Sequence, residues 1–577
     1  MTRLITIFLL LLAVAADGAT YKVSQNGNGA ATNSFAWFAT NAFQPGDTVL
    51  IETINSTNLP QLNYSGSAGN PITITSDPSG PLAGFVTTTL PNGAAFVNVS
   101  SQSYIVVSNL AMGCTDNGTV TANGGRFDYA NGVFGVNAFP ANYCSFVGLT
   151  ITNLYNRTTN SESDVTNPDP CGIFIAGNSN LVQGNFISGM RDAISYVYGS
   201  TPYSGFTVIS NTITNFGWGT YVACGQLTGD PHVTGVTFWR NSIRAGSMYE
   251  SPDGFDYFHR DALFLTTGAL DNSGYISNFV CAYNTFDSAN SAPNSHSGGS
   301  GAMYQGFVNN RGIRNGVVAF NISTLPANTS WSGGDGMFAC VGTGVLLCNN
   351  SGFSGNSNGL PTDGGGWNIS GTNARAYNNY DYNQGGDSLA VYIATNQFTN
   401  DNPHVIGYFS NAVWSDYNVY NGASQNNNAF VNAVFGTNNT GAPETTPYEG
   451  GWSWAQWTNL YSGGLSANFD PHSVTNTPTW ANAALLIPAT NDTVLNGQGT
   501  NLFALLAPYG ITTDFAGNPL PQSGAWPIGA YMAYSAPTNP PAVTAISISV
   551  TNNSTFTIVV TNSNPTNISG TFQIVVP

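Results

Sequence analysis

Charged side chains are scarce in this chain, and their scarcity argues against several functions. Only 7% of the 577 residues are charged, and Lys22 is the sole lysine. The formal net charge is −17, so a surface that follows the phosphates of a nucleic acid is not expected. A polyanionic ligand could be bound only at a local site. We therefore expect no nucleic-acid partner.

Cysteine and long apolar runs are also sparse. Seven cysteines, several of them inside apolar segments, favour buried thiols over a disulfide scaffold. After the first twenty residues no segment is long and apolar enough for a transmembrane helix. The start, Met1-Thr2-Arg3 followed by an apolar run to Ala16, is typical of a secretory signal peptide. We expect a monomer that is secreted or held at the cell surface.

Convincing helical periodicity is absent, and a short apolar segment that ends in asparagine recurs instead. It ends at Asn109, Asn185, Asn211, Asn241, Asn284 and Asn321, and weaker copies end at Asn349, Asn378 and Asn418. β-Branched and aromatic residues dominate these segments, which predicts strands. From Asn185 onward the asparagines are 26 to 43 residues apart, a period that is typical of a solenoid. The sequence predicts an all-β parallel β-helix, with asparagines stacked at equivalent corners as hydrogen-bonded ladders.

Both ends of the chain resemble a known superfamily. The segments 21–27, 44–51 and 65–74 near the start, and 454–457, 470–473, 514–519 and 528–531 near the end, carry the resemblance. They are similar to the opening and closing segments of secreted right-handed parallel β-helix proteins of the pectate-lyase-like group. The resemblance covers roughly residues 20–533 and implies a right-handed β-helix and a carbohydrate ligand, but no named reaction.

The expected organisation follows from these segments. We expect a signal peptide over residues 1–18, an N-terminal cap with the first coils over 19–100, the β-helix over 101–425, its closing segment over 426–535, and a linker with a small β module over 536–577. The module has three alternating apolar runs, and its predicted use is attachment or sorting.

Aspartates recur in a second set of strands that follows the asparagine corners. The segments that begin at Arg191, Trp218, Arg260, Ser300 and Gly334 align on successive coils, so Arg191-Asp192, Arg260-Asp261 and Asp335 fall on alternate coils. Alternate coils are on the order of 10 Å apart, so these residues predict a catalytic or calcium-binding groove along the solenoid. The alternative is that each aspartate stabilises its own turn by accepting backbone N–H bonds.

The loop 250–261 is the richest local group of polar side chains. Glu250, Asp253 and Asp256 could bind calcium through their carboxylate oxygens. His259 or Arg260 could then act as a base and Tyr257 as an acid, as polysaccharide lysis requires. The alternative is a solvated acidic turn with His259 on the surface. Apart from calcium, no cofactor is expected.

The lyases that the chain resembles use a lysine base, and Lys22 lies next to the predicted signal peptide, so that mechanism is not transferable. A glycoside hydrolase needs only two carboxylates, which Asp192, Asp261 and Asp335 could supply. Trp218 and Trp331 are candidates for stacking on sugar rings.

Two Asp-Pro-His triplets, ending at His232 and His472, are expected to be turns, with His232 as a minor candidate for the site. We expect a secreted protein that acts on or binds a polysaccharide as a lyase or a hydrolase. The alternative is a non-catalytic surface or adhesion protein.

Overall fold

A computed structural model describes the chain in segments. The described residues are 18–27, 33–55, 61–79, 82–87, 94–114, 119–120, 126–127, 133–154, 171–198, 201–224, 232–244, 260–267, 275–287, 304–324, 338–354, 367–370, 373–383, 389–394, 413–421, 430–435, 448–452, 454–455, 470–532, 543–552, 555–562 and 571–575.

The chain winds through three parallel stacks of strands, which we name sheets A, B and C. Sheet A contains β6 (Ala95–Asn98), β11 (Phe134–Ala138), β14 (Cys171–Ile175), the second halves of β16 (Phe186–Tyr198) and β18 (Thr212–Cys224), β21 (Arg260–Thr267), the first half of β24 (Tyr304–Ala319), β26 (Phe338–Thr343), β29 (Trp367–Ser370), β32 (Leu389–Ala394) and β35 (Phe430–Phe435). Each strand pairs in parallel with the strand one coil further along.

Sheet B follows sheet A in every coil. It contains β1 (Thr20–Ser24), β3 (Thr48–Ile51), β4 (Ile72–Ser76), β7 (Ile105–Ser108), β12 (Ser145–Val147), β15 (Asn180–Gln183), β17 (Tyr203–Ile209), β19 (His232–Trp239), β22 (Tyr275–Ala282), the second half of β24, β27 (Leu346–Cys348), β30 (Ala374–Tyr377) and β33 (Val413–Asp416). The short strand β2 (Asn33–Ser34) pairs with β1.

Sheet C completes the coil. It contains β5 (Gly84–Thr87), β8 (Ala111–Cys114), β13 (Thr150–Thr152), the first halves of β16 and β18, β20 (Ser242–Arg244), β23 (Thr285–Asp287), β25 (Ile322–Thr324), β28 (Ser351–Ser354), β31 (Tyr380–Asn383) and β34 (Val419–Asn421). The fold is therefore the right-handed parallel β-helix that the sequence predicts.

The remaining elements lie outside the three stacks. They are α1 (Phe35–Thr40), the antiparallel pair β9 (Thr119–Val120) and β10 (Arg126–Phe127), β36 (Tyr448–Trp452), which is antiparallel to β35, the pair β37 (Trp480–Asn482) and β38 (Ile487–Pro488), α2 (Phe503–Leu506) with a 3-10 turn at Ala507–Tyr509, and the antiparallel sheet of β39 (Val543–Asn552), β40 (Thr555–Asn562) and β41 (Thr571–Val575). Within the described ranges, no helix has the length and apolar character needed to cross a membrane.

The interior of the solenoid is filled by stacked aliphatic and aromatic side chains. Val107, Phe146, Val182 and Val208 lie on successive strands of sheet B and are fully buried. Because each coil places the same position over the one before it, the apolar core is continuous along the axis. This burial is the main force that holds the coils together.

The predicted asparagine ladder is present at the corner between sheets B and C. In Asn241, Nδ2 donates to the Asn284 Oδ1 atom at 2.9 Å and to the Val208 carbonyl at 3.0 Å. The Asn241 Oδ1 atom accepts from the N–H and the Nδ2 of Asn211. This pattern repeats through one buried residue per coil, namely Asn185, Asn211, Asn241, Asn284, Asn321, Asn350, Asn379 and Asn418.

Three asparagines that the sequence assigned to the ladder are one position away from it. Asn109, Asn349 and Asn378 have φ of 48°, 52° and 58°, so they occupy the left-handed residue that turns the chain at this corner. The ladder itself uses Asn350 and Asn379, and Leu110 takes the position after Asn109. Asparagine tolerates the left-handed region better than most residues, which explains its use at Asn109, Asn349 and Asn378.

The closing segment caps the last rung of the ladder. The Asn418 N–H donates to the Ser473 hydroxyl at 2.8 Å, where earlier rungs use the next asparagine. The buried Asp470 carboxylate accepts from the hydroxyls of Ser415, Ser473 and Tyr420. Burial raises the pKa of the Tyr420 hydroxyl, and the charge of Asp470 adds to this. The second Asp-Pro-His triplet is thus a turn, as predicted. Ser473, which follows it, supplies the hydrogen-bond acceptor for the N–H of the last ladder residue.

Residues 470–532 also pack against the sides of later coils. Trp526 is fully buried in a cluster with Phe320, Leu502 and Leu506. The amide of Asn349 donates to the carbonyls of Pro527 and Gly529 at 2.9 and 3.1 Å. The segment therefore covers corner residues that would otherwise face water.

Four cysteines have described side chains, and all four are buried free thiols. They are Cys144, Cys171, Cys281 and Cys348. Burial raises the pKa of the Cys144 thiol to about 11 and also raises that of Cys348. At these positions cysteine acts as a small hydrophobic residue, as the sequence predicts.

Candidate functional site

The strand register of sheet A places two of the predicted aspartates in one row. Asp192 is paired with Trp218 on the next coil, and Trp218 is paired with Asp261 on the coil after that. Two steps between parallel strands of about 4.8 Å put the Asp192 and Asp261 backbones roughly 10 Å apart. We name Asp192, Trp218 and Asp261 the aspartate row.

The register also corrects the alignment made by eye. That alignment paired Arg191 with Trp218 and Arg260 with Ser300. In the structure Asp192 is opposite Trp218, and Arg260 is opposite Tyr304. The connections between sheets C and A differ in length. β16 and β18 pass from sheet C into sheet A as continuous strands, whereas residues 245–259 separate β20 from β21. The number of residues from one coil to the next is therefore not constant.

Asp192 is the member of the row whose side chain is described, and it is 5% exposed. Buried carboxylates are uncommon and are usually held by other polar groups. The backbones of Arg191, Trp218, Arg260 and Asp261 lie in described strands, but their side chains lie outside the described part of the structure. The structure thus defines the backbone positions of all three residues of the row and the side chain of Asp192 alone.

The other predicted residues of the acidic loop fall outside the described residues. They are Glu250, Asp253, Asp256, Tyr257 and His259, together with Trp331 and Asp335. Within the described ranges, no group of three or more histidine, cysteine, aspartate or glutamate side chains could hold a metal ion. The calcium site at Glu250, Asp253 and Asp256 stays a prediction.

His232 lies on sheet B, away from the aspartate row. It begins β19, and its ring stacks on the Tyr275 ring of the next coil at 4.9 Å with an interplanar angle of 2°. The Arg314 guanidinium lies over the other side of this stack, 4.0 Å from the Tyr275 ring centre. The rings of His232 and Tyr275 and the Arg314 guanidinium thus form a stack across three coils of sheet B.

A set of aromatic side chains on β11 and β14 and directly after β11 was not predicted from the sequence. Phe174 lies between Phe134 and Phe139, with ring centres 5.1 and 5.2 Å away. Phe134 is opposite Cys171, which is opposite Asp192, so the set begins two coils before the row. Phe139 is 38% exposed. Alternation in Ile173-Phe174-Ile175, with both isoleucines buried, would have indicated that Phe174 faces outward.

The single lysine is far from the aspartate row. Lys22 lies in β1, six strand steps before β17, the sheet B strand in the coil of Asp192, which is roughly 29 Å along the solenoid axis. Its ammonium group pairs with the Asp77 carboxylate at 2.7 Å. Lys22 therefore cannot serve as a base at the row, and a lysine-dependent mechanism is not available there.

The Lys22–Asp77 pair should make stability depend on pH at the acidic end. The Lys22 ammonium, helped by Ser79, lowers the pKa of Asp77 to about 2. Because this is below the unfolded value near 3.8, the pair stabilises the fold above about pH 4 and loses this effect as pH falls toward 2. We expect Asp77→Asn to lower Tm at pH 6 and the gap from wild type to close near pH 2.

The control for this titration is Asp287→Asn, which removes an aspartate from the more exposed pair with Arg244. It should shift Tm less than Asp77→Asn at pH 6, since exposed ion pairs contribute little. A gap for Asp77→Asn that is unchanged between pH 6 and pH 2 would show that the ion pair does not cause it.

His472 forms a second polar contact near the end of the solenoid. Its Nδ1 atom lies 2.7 Å from Asp416 Oδ2, and its backbone N–H donates to Asp416 Oδ1. The ring also stacks on Tyr417 at 4.6 Å. These contacts hold the capping turn 470–473 against the last described strand of sheet B.

Comparison with known proteins gives structural likeness only. No family profile matches the chain, and no curated protein matches it. Among solved structures, a GH136 lacto-N-biosidase from Eubacterium ramulus is 12% identical with a TM-score of 0.39, over 69% of this chain and 67% of that one. A complex of XylC with xylose gives 10% and 0.38, over 70% and 83%. The PL6 family alginate lyase AlyGC gives 12% and 0.38, over 76% and 57%. Likeness at this level does not bear on the activity of this chain.

Proposed function

We propose that this protein hydrolyses a neutral polysaccharide, with Asp192 and Asp261 as its pair of carboxylates. The observation that carries the proposal is the register of sheet A, which puts both aspartates in one row with Trp218 between them. Glycoside hydrolysis needs one carboxyl group to protonate the leaving oxygen and one carboxylate to act on the opposite face of the sugar.

The spacing favours the inverting form of this chemistry. Inverting enzymes hold their carboxyl groups about 6.5–9.5 Å apart to admit a water molecule, and retaining enzymes hold them about 5–5.5 Å apart. Two coils place the backbones roughly 10 Å apart, and adjacent coils would place them about 5 Å apart. The backbones of the row are thus farther apart than the carboxyl groups of a retaining enzyme, which supports direct displacement by water.

Charge and aromatic content support a neutral sugar as the substrate. The chain carries a net charge of −17, which would repel an anionic polysaccharide outside a dedicated cationic site. Phe134 and Phe174 on sheet A and Phe139 directly after β11 form an aromatic set that begins two coils before the row, and Trp218 is a residue of the row itself. Sugar rings present C–H groups that pack well on such surfaces.

We also propose that the protein is exported, as its signal-like start indicates, and that it acts as a monomer. The test is incubation of the mature protein with neutral and acidic polysaccharides, read in parallel by new reducing ends and by absorbance of unsaturated products. Reducing ends from a neutral substrate are expected. Unsaturated products would instead indicate a lyase, and binding without cleavage would indicate the adhesion alternative. An arm with EDTA checks the calcium predicted at Glu250, Asp253 and Asp256.

A further inference from the structure

The first coils form a polar groove that is separate from the aspartate row. Its volume is about 570 Å³, within the range of about 300–1,000 Å³ that is typical of small-molecule sites. Residues that carry hydroxyl, amide or carboxylate groups line it, including Ser24, Gln25, Glu52, Thr53, Asp77 and Ser79. The groove lies beside β1, near the end of the solenoid opposite to the capping turn.

The polar groups of the groove are fixed in place by hydrogen bonds within the protein. Gln25 Oε1 accepts from the Asn55 N–H at 2.7 Å, and Ser24 Oγ accepts from the Gly27 N–H at 3.0 Å. Asp77 Oδ1 accepts from both the N–H and the hydroxyl of Ser79. A wall of side chains held in this way loses little conformational freedom when a ligand binds, which favours a hydrogen-bonded ligand.

The charges of the groove point to a ligand without net charge. The Asp77 carboxylate is already paired with the Lys22 ammonium at 2.7 Å. Glu52 then leaves about one unmatched negative charge, so an anion would be repelled. Hydroxyl and amide groups can both donate and accept hydrogen bonds, and the hydroxyls of a sugar do the same.

We propose that this groove is a second binding site for a neutral saccharide, remote from the aspartate row. It does not depend on hydrolysis, because four strand steps, roughly 19 Å along the axis, separate β4 at the near edge of the groove from β17 in the coil of Asp192. A site at this distance would hold one part of a long sugar chain while another part lies at the row. Two linked contacts raise the overall affinity for a polymer without any new contact at either site.

The test is a groove-filling substitution in the full mature chain. Thr53 is an exposed residue of the wall, so Thr53→Trp should fill the groove without removing a buried contact. The matched control is Gln183→Trp, an exposed position on β15. Cello-, xylo- and manno-oligosaccharides are the probes, with Kd from calorimetry and mobility in gels that contain the neutral polymers.

We expect Thr53→Trp to raise Kd for at least one neutral probe at least 10-fold and Gln183→Trp to leave it unchanged. Glu52→Gln keeps the shape of the groove, and it is the alternative variant if Thr53→Trp lowers Tm. It should weaken binding several-fold. All variants are compared with and without Asp261→Asn, so loss of hydrolysis is read separately from loss of binding.

Three results would overturn the proposal. The first is that no neutral probe binds the wild-type chain. The second is that binding is equal in the Thr53→Trp and Gln183→Trp proteins, which would place the site elsewhere. The third is that glucosamine binds and the neutral sugars do not, which would make the groove a site for organic cations.

Discussion

Replacing either aspartate of the row by asparagine should lower the rate of polysaccharide cleavage by about 10²–10⁴-fold, which is the usual contribution of a positioned acid or base. Asn keeps the size of the side chain but cannot transfer a proton at neutral pH. The expected loss is in kcat, with a smaller change in KM, because the groups act on the reacting bond. The measurement is steady-state release of reducing ends by Asp192→Asn and Asp261→Asn.

The two variants should differ on an activated substrate. An aryl glycoside with a good leaving group needs little protonation of the leaving oxygen, so the variant that lacks the acid should recover most of its rate. The variant that lacks the base should remain slow on the same substrate. This comparison assigns the two roles within the row.

Asp287→Asn is the matched control for these activities. Asp287 lies in sheet C, where it pairs with the half-exposed Arg244, and no step of the proposed reaction uses it. Its variant should retain wild-type kcat. Full activity of both Asp192→Asn and Asp261→Asn, with the fold intact by Tm, would exclude the aspartate row as the catalytic site.

Asn241→Ala should produce a large loss of stability. The substitution removes the Nδ2 bonds to Val208 and Asn284, and it leaves the N–H and Nδ2 groups of Asn211 without their acceptor. Asn241 is 2% exposed, so water does not replace these bonds without rearrangement. Buried polar groups that lose partners cost about 1–3 kcal/mol each, and we expect a total of about 2–5 kcal/mol.

The neighbouring residue Ser242 provides the control. It is exposed at the start of β20, and Ser242→Ala should change the free energy of unfolding by less than about 0.5 kcal/mol. Urea unfolding of both variants measures the difference. If Asn241→Ala were as stable as Ser242→Ala, the ladder would be a consequence of the stacking and would not stabilise it.

The period and the strand type of this fold were readable in the sequence because they depend on local preferences. Apolar segments with β-branched residues form strands, and a turn residue must follow each one. Each coil repeats this pattern, so the solenoid was predictable, as was the presence of an asparagine at one corner. Asn185, Asn211, Asn241, Asn284, Asn321 and Asn418 were assigned to the ladder correctly for this reason.

The choice between adjacent asparagines was not readable. Asn349-Asn350 and Asn378-Asn379 present two candidates each, and only the second of each pair joins the ladder. A ladder position needs partners one coil before and one coil after, whereas a left-handed corner position is a local property. Nothing within either dipeptide shows which asparagine takes the ladder position and which takes the left-handed corner.

The sequence by itself determined the architecture, the acidic charge and the scarcity of lysine, since these follow from composition and short-range pattern. Only the tertiary structure decided the register that pairs Asp192 with Trp218 and Trp218 with Asp261, the stacking of Phe174 with Phe134 and Phe139, and the ion pair of Lys22 with Asp77 several coils before the row. These contacts join residues that are tens of positions apart. Their register is set by backbone hydrogen bonds between whole coils, and connections of unequal length hide it from any count along the chain.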